Sequence, residues 1–472
     1  MKKTLFLYLF LFFYSFPNLC AQNSAVLSGK ITNAQGKALG MNLTPIFLQG
    51  QQPDYVVELA SNNEFNIHLN PMDAPRIVTL LHGKRNIEVY IEPGDSVFVD
   101  IDMNQFNKKT SFEGGDINNF FFSELPKSIP TQKKALLEKQ GGPKEYRALM
   151  DSVIAVQHQL LEEYANTHTI SEEAMNFGTL QIDYQYANHL LTYVFNLNRR
   201  RGKQPSVDKD YFSFLEEMIV ENPALANLQA YSSFLNNYMT YQLLVKMRKT
   251  PRYDASKYYA DLCAIDRATI KDKFLLSMIL TQHLVEGLQR SRVEDLKEHY
   301  LYAMENTKTE KYTIAVKYVY DQVKHLEAGT VAPDFKVLNI DGEEVALSDF
   351  IGKVVYMDFW ASWCGPCKQQ IPHAKKLKEK FHDKDVVFLY LSIDKNEKQW
   401  RDFVTNKELS GVQLIAGKEK NNISQVYRVS GVPKYILVDK EGKIADSMAK
   451  RPSEDGIEDD IEGLLTEPVK SN

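Results

Sequence analysis

The stretch that decides the fold of the C-terminal third is Asp358-Phe359-Trp360-Ala361-Ser362-Trp363-Cys364-Gly365-Pro366-Cys367. The apolar run at 354–359 predicts a buried strand, and a helix is predicted to begin around Cys364. Two cysteines two residues apart at a helix start can form a reversible disulfide with little strain. The first thiol then lies where unpaired N–H groups and the helix dipole favour negative charge. This pair therefore indicates redox chemistry.

The two cysteines are predicted to have different roles. Helix starts of this kind lower a thiol pKa from about 8.5 toward roughly 3.5 to 7.5, so Cys364 is expected to attack a substrate disulfide as the thiolate. Cys367, further into the helix, would resolve the mixed disulfide. Pro366 is tolerated because the first helical turn leaves its N–H position without a partner. A zinc knuckle is the alternative, but it needs a second Cys or His pair and none occurs nearby. We predict no metal and no cofactor.

The rest of this segment alternates strand and helix patterns from Thr330 to the end of the chain. Residues 386–391 predict a second buried strand, and 399–404 predict a helix. Residues 434–438 and 442–444 predict a hairpin. Such alternation favours a mixed α/β domain around a central sheet.

The redox stretch resembles the active-site signature of thioredoxins. Asp358 lies six residues before the first cysteine, where that family buries a carboxylate that assists proton transfer to and from the resolving thiol. Pro372 matches the family's helix-kinking proline. Gly431-Val432-Pro433 resembles the loop whose cis-proline faces the disulfide and offers backbone groups to an incoming peptide. The resemblance covers about 330–465.

Two further features resemble the extracytoplasmic TlpA/ResA-like branch of that family. They are the opening at 332–335, Ala-Pro-Asp-Phe, and the extra helix and strand between 394 and 427. The resemblance implies a thiol-disulfide oxidoreductase that acts on cysteine pairs of exported proteins, cytochrome apoproteins among them. It also implies a membrane thiol electron donor. The residues expected to contact the substrate are Trp363, Gly365, Pro366, Val432 and Pro433.

Two positions depart from the family pattern. ResA-like proteins usually carry a glutamate three residues after the second cysteine, where this chain has Gln370. Thioredoxins place a lysine beside the buried aspartate, and alignment on the following strand puts Tyr390 there. A carboxylate without that cation titrates higher because burial disfavours its charge. Asp358 is therefore predicted to hold a proton near neutral pH and to serve as the acid and base for Cys367.

The N-terminus has the order of a secretory signal peptide. Lys2 and Lys3 precede an apolar run at 5–16. Ala21 is the small residue before the expected cleavage, which would remove residues 1–21. We therefore expect a periplasmic or other extracytoplasmic location. An uncleaved anchor is one alternative and lipid modification of Cys20 is another, and either would bring association with a membrane. The residues before Cys20 are larger than lipoprotein signals usually have, which disfavours lipidation.

The remaining residues predict two accessory domains in a multidomain protein. Residues 25–115 contain short strands at regular spacing, which predict a small all-β antiparallel sandwich or barrel. Residues 116–328 show helical periodicity and predict an all-α domain, whereas 330–472 form the α/β domain with a thioredoxin fold. Cys263 falls in this helical part and is predicted to be buried and inert. The net charge of −5 provides no basic field for nucleic acid.

Two other functions stay open from the sequence alone. The first is a partner-binding protein in which the thioredoxin module is an accessory. The second is a thiol peroxidase, because related families share the Ala-Pro-Asp-Phe opening. Peroxidase sites place a proline and a Thr or Ser ahead of the reactive cysteine, where this chain has Met357 and Ala361. The leading prediction is a disulfide oxidoreductase that works as a reductant, because Gly-Pro between the cysteines is similar to the dipeptide of reducing thioredoxins.

Overall fold

The computed structural model describes residues 24–43, 53–201, 207–416 and 423–466, with side chains omitted at 198–201. The predicted signal peptide at 1–21, with Cys20, lies outside these residues. The chain divides into two compact units, 1–241 and 242–472. The limits predicted at 115 and 328 stay predictions. Across the described ranges no helix combines the length and the apolar character needed to cross a membrane.

The first unit begins with two small sheets. Strand alternation builds their shared core, as in Glu64–Leu69, where every second side chain is buried. The strands are β1 (Ala25–Thr32), β2 (Ala38–Asn42), β3 (Tyr55–Glu58), β4 (Glu64–Leu69), β5 (Arg76–His82), β6 (Arg85–Ile91), β7 (Ser96–Asp102) and β8 (Ser111–Glu113). One sheet has the order β4-β1-β7-β8 and the other β3-β2-β5-β6. The sandwich is confirmed, but the prediction that it is antiparallel throughout is wrong, because β1 and β7 pair in parallel.

Helices follow the sheets and confirm the predicted α-helical region. In the first unit they are α1 (Phe106–Lys109), α2 (Ile117–Asn119), α3 (Thr131–Gln140), α4 (Pro143–Ala165) and α5 (Glu172–Arg201). Helix α6 (Gln229–Lys249) runs on into the second unit, which adds α7 (Tyr258–Thr269), α8 (Lys273–Arg290), α9 (Val293–Asn306) and α10 (Glu310–Val323). Helix α8 is buried on most sides, since apolar residues occupy most of its length.

The last part of the second unit is the predicted α/β domain. Its strands are β9 (Lys336–Asn339), β10 (Glu344–Ala346), β11 (Val354–Trp360), β12 (Val386–Ser392), β13 (Val412–Ile415), β14 (Lys434–Val438) and β15 (Ile444–Asp446). They form one sheet in the order β10-β9-β13-β12-β11-β14-β15. Its helices are α11 (Gly365–Lys380), α12 (Glu397–Asn406), α13 (Ile423–Val426) and α14 (Ile457–Thr466).

The central strand β11 is buried along its whole length. It pairs in parallel with β12 and antiparallel with β14, and the predicted hairpin of β14 with β15 is confirmed. Val355, Met357 and Phe359 pack into one core cluster, whereas Val354 and Tyr356 pack into another. Because side chains alternate along a strand, Asp358 shares the face of Tyr356. The strand thus carries a carboxylate into the interior directly before the cysteine loop.

Candidate active site

Cys364 and Cys367 form a disulfide at the start of α11. Cys364 is the N-cap, and the Cys367 N–H donates a hydrogen bond to its Sγ at 3.1 Å. The sulfur of Cys364 therefore occupies the place of a capping acceptor, which is where a thiolate would be stabilised after reduction. Both cysteines are at most 5% exposed.

The loop at Val432–Pro433 faces this disulfide. The peptide bond between these two residues is cis, and the Val432 carbonyl oxygen lies 3.6 Å from Cys364 Sγ. Trp363 is 60% exposed, and Pro366 is also exposed. The structure therefore brings the predicted substrate-contacting residues, with Gly365, to one rim around the first sulfur.

Asp358 is a buried carboxyl near Cys367. Burial raises the pKa of its carboxyl to about 8. No described residue hydrogen-bonds its Oδ1. Asp358 and Cys367 both line a cavity of about 30 Å³, together with Trp360, Tyr390 and Gln413. The indole Nε1 of Trp360 and the amide Oε1 of Gln413 are also buried without a partner among the described residues. This cavity has the size and the polar groups that a buried water requires.

Tyr390 and Gln370, the two residues that differ from the family pattern, lie in different surroundings. Tyr390 is the direct register partner of Asp358 on β12, so no cation occupies the neighbouring position on that strand. Its phenol is buried, and burial together with the charge of Asp358 raises its pKa. Gln370 lies elsewhere on α11, where its Oε1 accepts a hydrogen bond from the Ser453 N–H at 3.1 Å. Gln370 therefore joins α11 to the segment before α14.

A buried carboxylate that the sequence alone did not indicate holds the cysteine loop. Asp394 is 1% exposed, and it accepts hydrogen bonds from the Ser362 N–H at 2.8 Å and the Ser362 hydroxyl at 2.9 Å. The Ser392 hydroxyl donates to it at 2.7 Å. Ser362 lies two residues before Cys364, so Asp394 is a positioning residue for the loop. The available signal was two polar residues at the end of a strand parallel and adjacent to β11.

A second missed residue, Lys434, supports the loop at Pro433. Its ammonium donates hydrogen bonds to the carbonyl oxygens of Tyr427 at 2.8 Å and of Arg428 at 3.3 Å. Burial, and then the charge of Arg428, lower its pKa to about 8. Cys263 lies on α7 and is fully buried, which raises the pKa of its thiol. The Cys263 thiol therefore lies among packed side chains of the helical region.

Comparison with known proteins places the similarity in the last third of the chain. The Redoxin family matches residues 327–465. "Thiol-disulfide oxidoreductase ResA" of Bacillus cereus is 30% identical over 141 residues, which cover 30% of this chain and 80% of ResA. "Thioredoxin-like protein YneN" of Bacillus subtilis is 35% identical over 139 residues, covering 28% and 80%. The crystal structure of the thioredoxin domain of a thiol-disulfide oxidoreductase from Bacteroides vulgatus is 29% identical, covers 29% of this chain and 98% of that chain, and has a TM-score of 0.28.

Proposed function

Since this chain belongs to the TlpA/ResA-like family of thioredoxin-fold thiol-disulfide oxidoreductases, we propose that its Cys364–Cys367 pair reduces disulfides in exported proteins. The observation that carries this proposal is the arrangement around Cys364. Its sulfur lies at a helix N-terminus, next to the cis peptide bond at Pro433 and beside the exposed Trp363. These neighbours favour Cys364 over Cys367 as the sulfur that an incoming peptide meets first, because the loop carbonyl and the exposed indole both lie next to Cys364.

The exchange starts from the reduced protein. The Cys364 thiolate attacks one sulfur of the substrate disulfide, a mixed disulfide forms, and the other substrate sulfur leaves as a thiolate. Cys367 loses its proton and attacks the Cys364 sulfur, which releases the second substrate thiolate. The substrate gains two electrons, and the protein regains its Cys364–Cys367 disulfide. A membrane thiol donor would return the protein to the reduced state.

Asp358 is proposed to move the proton of Cys367. Both residues line the same small cavity, where one water could join the carboxyl and the thiol. With a pKa of about 8, roughly nine-tenths of Asp358 is protonated at pH 7. The protonated acid suits the recharging step, because Cys367 must gain a proton when the disulfide opens. The carboxylate then formed is buried, so it retakes the proton when Cys367 resolves a mixed disulfide.

The test is insulin-disulfide reduction by the full-length protein, with a mixed-disulfide trap. Cys364→Ser should abolish reduction, and Cys367→Ser should accumulate mixed disulfides with exported proteins. Cys263→Ser is the matched control and should keep the rate of the unsubstituted protein, because that thiol is buried. Full activity in Cys364→Ser, or no trapped protein with Cys367→Ser, would contradict the proposal.

The direction of exchange needs a separate measurement. We propose a reductant, so the reduction potential of the pair against glutathione should lie near the value of about −270 mV typical of thioredoxin. A value near about −120 mV, typical of strongly oxidising family members, would refute the direction while leaving the chemistry intact. The extracytoplasmic location rests on the sequence at 1–21 and is tested by fractionation of the producing cells.

A further inference from the structure

A groove of about 220 Å³ opens beside the loop at Pro433. Gly431 and Pro433 line it from the loop itself, and Arg428 lines it from the residues before the loop. Arg451 contributes from the segment before α14, and Arg290, the last residue of α8, contributes from the helical segment. A side chain encoded about 140 residues before the loop therefore lies next to the place where the substrate is expected to bind.

The three arginines of this groove have no ion-pair partner among the described residues. No carboxylate oxygen in that part of the chain lies within 4.0 Å of the guanidinium of Arg290, Arg428 or Arg451. Glu454 is the acidic residue of the lining, but its Oε2 accepts a hydrogen bond from the Arg451 backbone N–H at 2.7 Å. Positive charge is therefore in excess at this rim.

A fourth cation adds to the excess. Lys434 also lines the groove, where the neighbouring charge of Arg428 contributes to lowering its pKa. Like charges that crowd together disfavour their own charged forms. An anionic group bound between them would remove that repulsion and gain charge-assisted hydrogen bonds.

The larger cleft that adjoins the groove differs in its charges. It shares Arg290 and Arg451 with the groove and has a volume of about 940 Å³. Here Asp446 pairs with Arg292 at 2.6 Å, and Asp460 pairs with Lys450 at 2.8 Å. The cations of this cleft are thus partly neutralised, so the unpaired positive charge is concentrated on the side of the loop.

We propose that this groove selects substrate proteins that carry an acidic segment next to the target disulfide. Carboxylates of the segment would bind the guanidinium groups of Arg290, Arg428 and Arg451 while the cysteine reaches Cys364. The inference rests on the proposed disulfide reduction and assigns a substrate class to it. It also gives the helical segment a role in selection, through Arg290. Charges at such a rim act mainly on the rate of association and weaken with salt.

The experiment compares two peptides with the reduced full-length protein. They share one disulfide and differ only in flanking residues, which are aspartate and glutamate in one and lysine and arginine in the other. We expect kcat/KM to favour the acidic peptide by about ten-fold at low salt. The ratio should fall toward one at about 0.5 M NaCl, where the screening length is only a few ångströms.

Substitutions of the groove arginines test whether the groove is the source of the preference for the acidic peptide. Arg290→Gln, Arg428→Gln and Arg451→Gln should each lower the acidic-to-basic ratio about two- to five-fold, as expected for exposed charge pairs. Arg451→Lys should keep most of the ratio, because it keeps the charge. Lys376→Gln is the matched control, an exposed cation on α11 outside the groove, and it should leave both rates unchanged.

The outcomes separate this inference from the function on which it rests. Equal rates for the two peptides at low salt would overturn the acidic preference while disulfide reduction stands. A ratio that survives all three glutamine substitutions would overturn the groove as its source. Failure to reduce either peptide and a neutral small disulfide would overturn the proposed function and this inference together.

Discussion

Replacement of Asp358 by asparagine tests the buried carboxyl most directly. In the folded protein burial raises its pKa from the ordinary 3.8 to about 8. Between these values the unfolded chain releases a proton that the folded protein keeps, so the wild-type free energy of unfolding falls as pH rises through this window. Asparagine does not ionise, so its side chain adds no such pH dependence to the free energy of unfolding. The stability of Asp358→Asn relative to wild type should therefore rise with pH.

The magnitude follows from the two pKa values. Each pH unit between the two pKa values lowers the free energy of unfolding by about 1.4 kcal/mol. Relative to acid pH, where the carboxyl is protonated in both states, the wild type is therefore less stable by about 2 kcal/mol at pH 5, about 4 kcal/mol at pH 7 and about 6 kcal/mol at pH 9. The buried amide of asparagine has its own cost of about 1 to 3 kcal/mol if it lacks a partner. That cost does not depend on pH. The change in the difference between pH 5 and pH 9 therefore isolates the carboxyl.

The assay is urea unfolding of the oxidised full-length protein, followed by tryptophan fluorescence. The chain has 3 tryptophans, Trp360, Trp363 and Trp400, so the signal reports on the last domain alone. Asp385→Asn is the matched control, since it makes the same change at an exposed position in that domain and should give a curve parallel to wild type. A difference between Asp358→Asn and wild type that is the same at pH 5 and pH 9 would refute the reasoning.

Two further predictions concern the surroundings of the redox pair. Asp394→Ala should lower the free energy of unfolding by about 3 kcal/mol and slow insulin reduction, because it leaves the Ser362 N–H and two hydroxyls without their acceptor. A loss below about 0.5 kcal/mol in urea unfolding would rule out the positioning role. Tyr390→Lys should bring a cation beside Asp358 and lower its pKa by about 1 to 3 units. The midpoint of the pH dependence of insulin reduction should move to lower pH with it. An unmoved midpoint would show that Tyr390 does not set the titration of Asp358.

Local signals in the sequence were sufficient to predict the redox pair and the helix that begins beside it. The cysteine spacing, the apolar strand before it and the turn chemistry at Gly431–Pro433 act over a few residues, so they can be interpreted without the fold. The pairing of Asp358 with Tyr390 followed from aligning two strands. In contrast, short strands such as Lys336–Asn339 carry too few apolar residues to be predicted, because their pairing with β13 and β10 stabilises them.

The missed residues depend on contacts between distant segments. Asp394 becomes a clamp because β11 and β12 end side by side, and Ser362 and Ser392 then face the same carboxylate. Arg290 has no local feature that links it to the loop at Pro433, about 140 residues later. The parallel pairing of β1 with β7 likewise arises from a connection of about 65 residues, which no hairpin spacing indicates.

The bidentate pair between Arg292 and Asp446 bears on how this domain can be exchanged between proteins. Arg292 follows α8, and it donates to both carboxylate oxygens of Asp446 on β15, at 2.8 and 2.6 Å. A chimera joined at residue 330 would leave Asp446 without its cation and would remove Arg290 from the groove. Transplantation of a functional module should therefore take α8 along, starting near residue 242, where the compact unit begins.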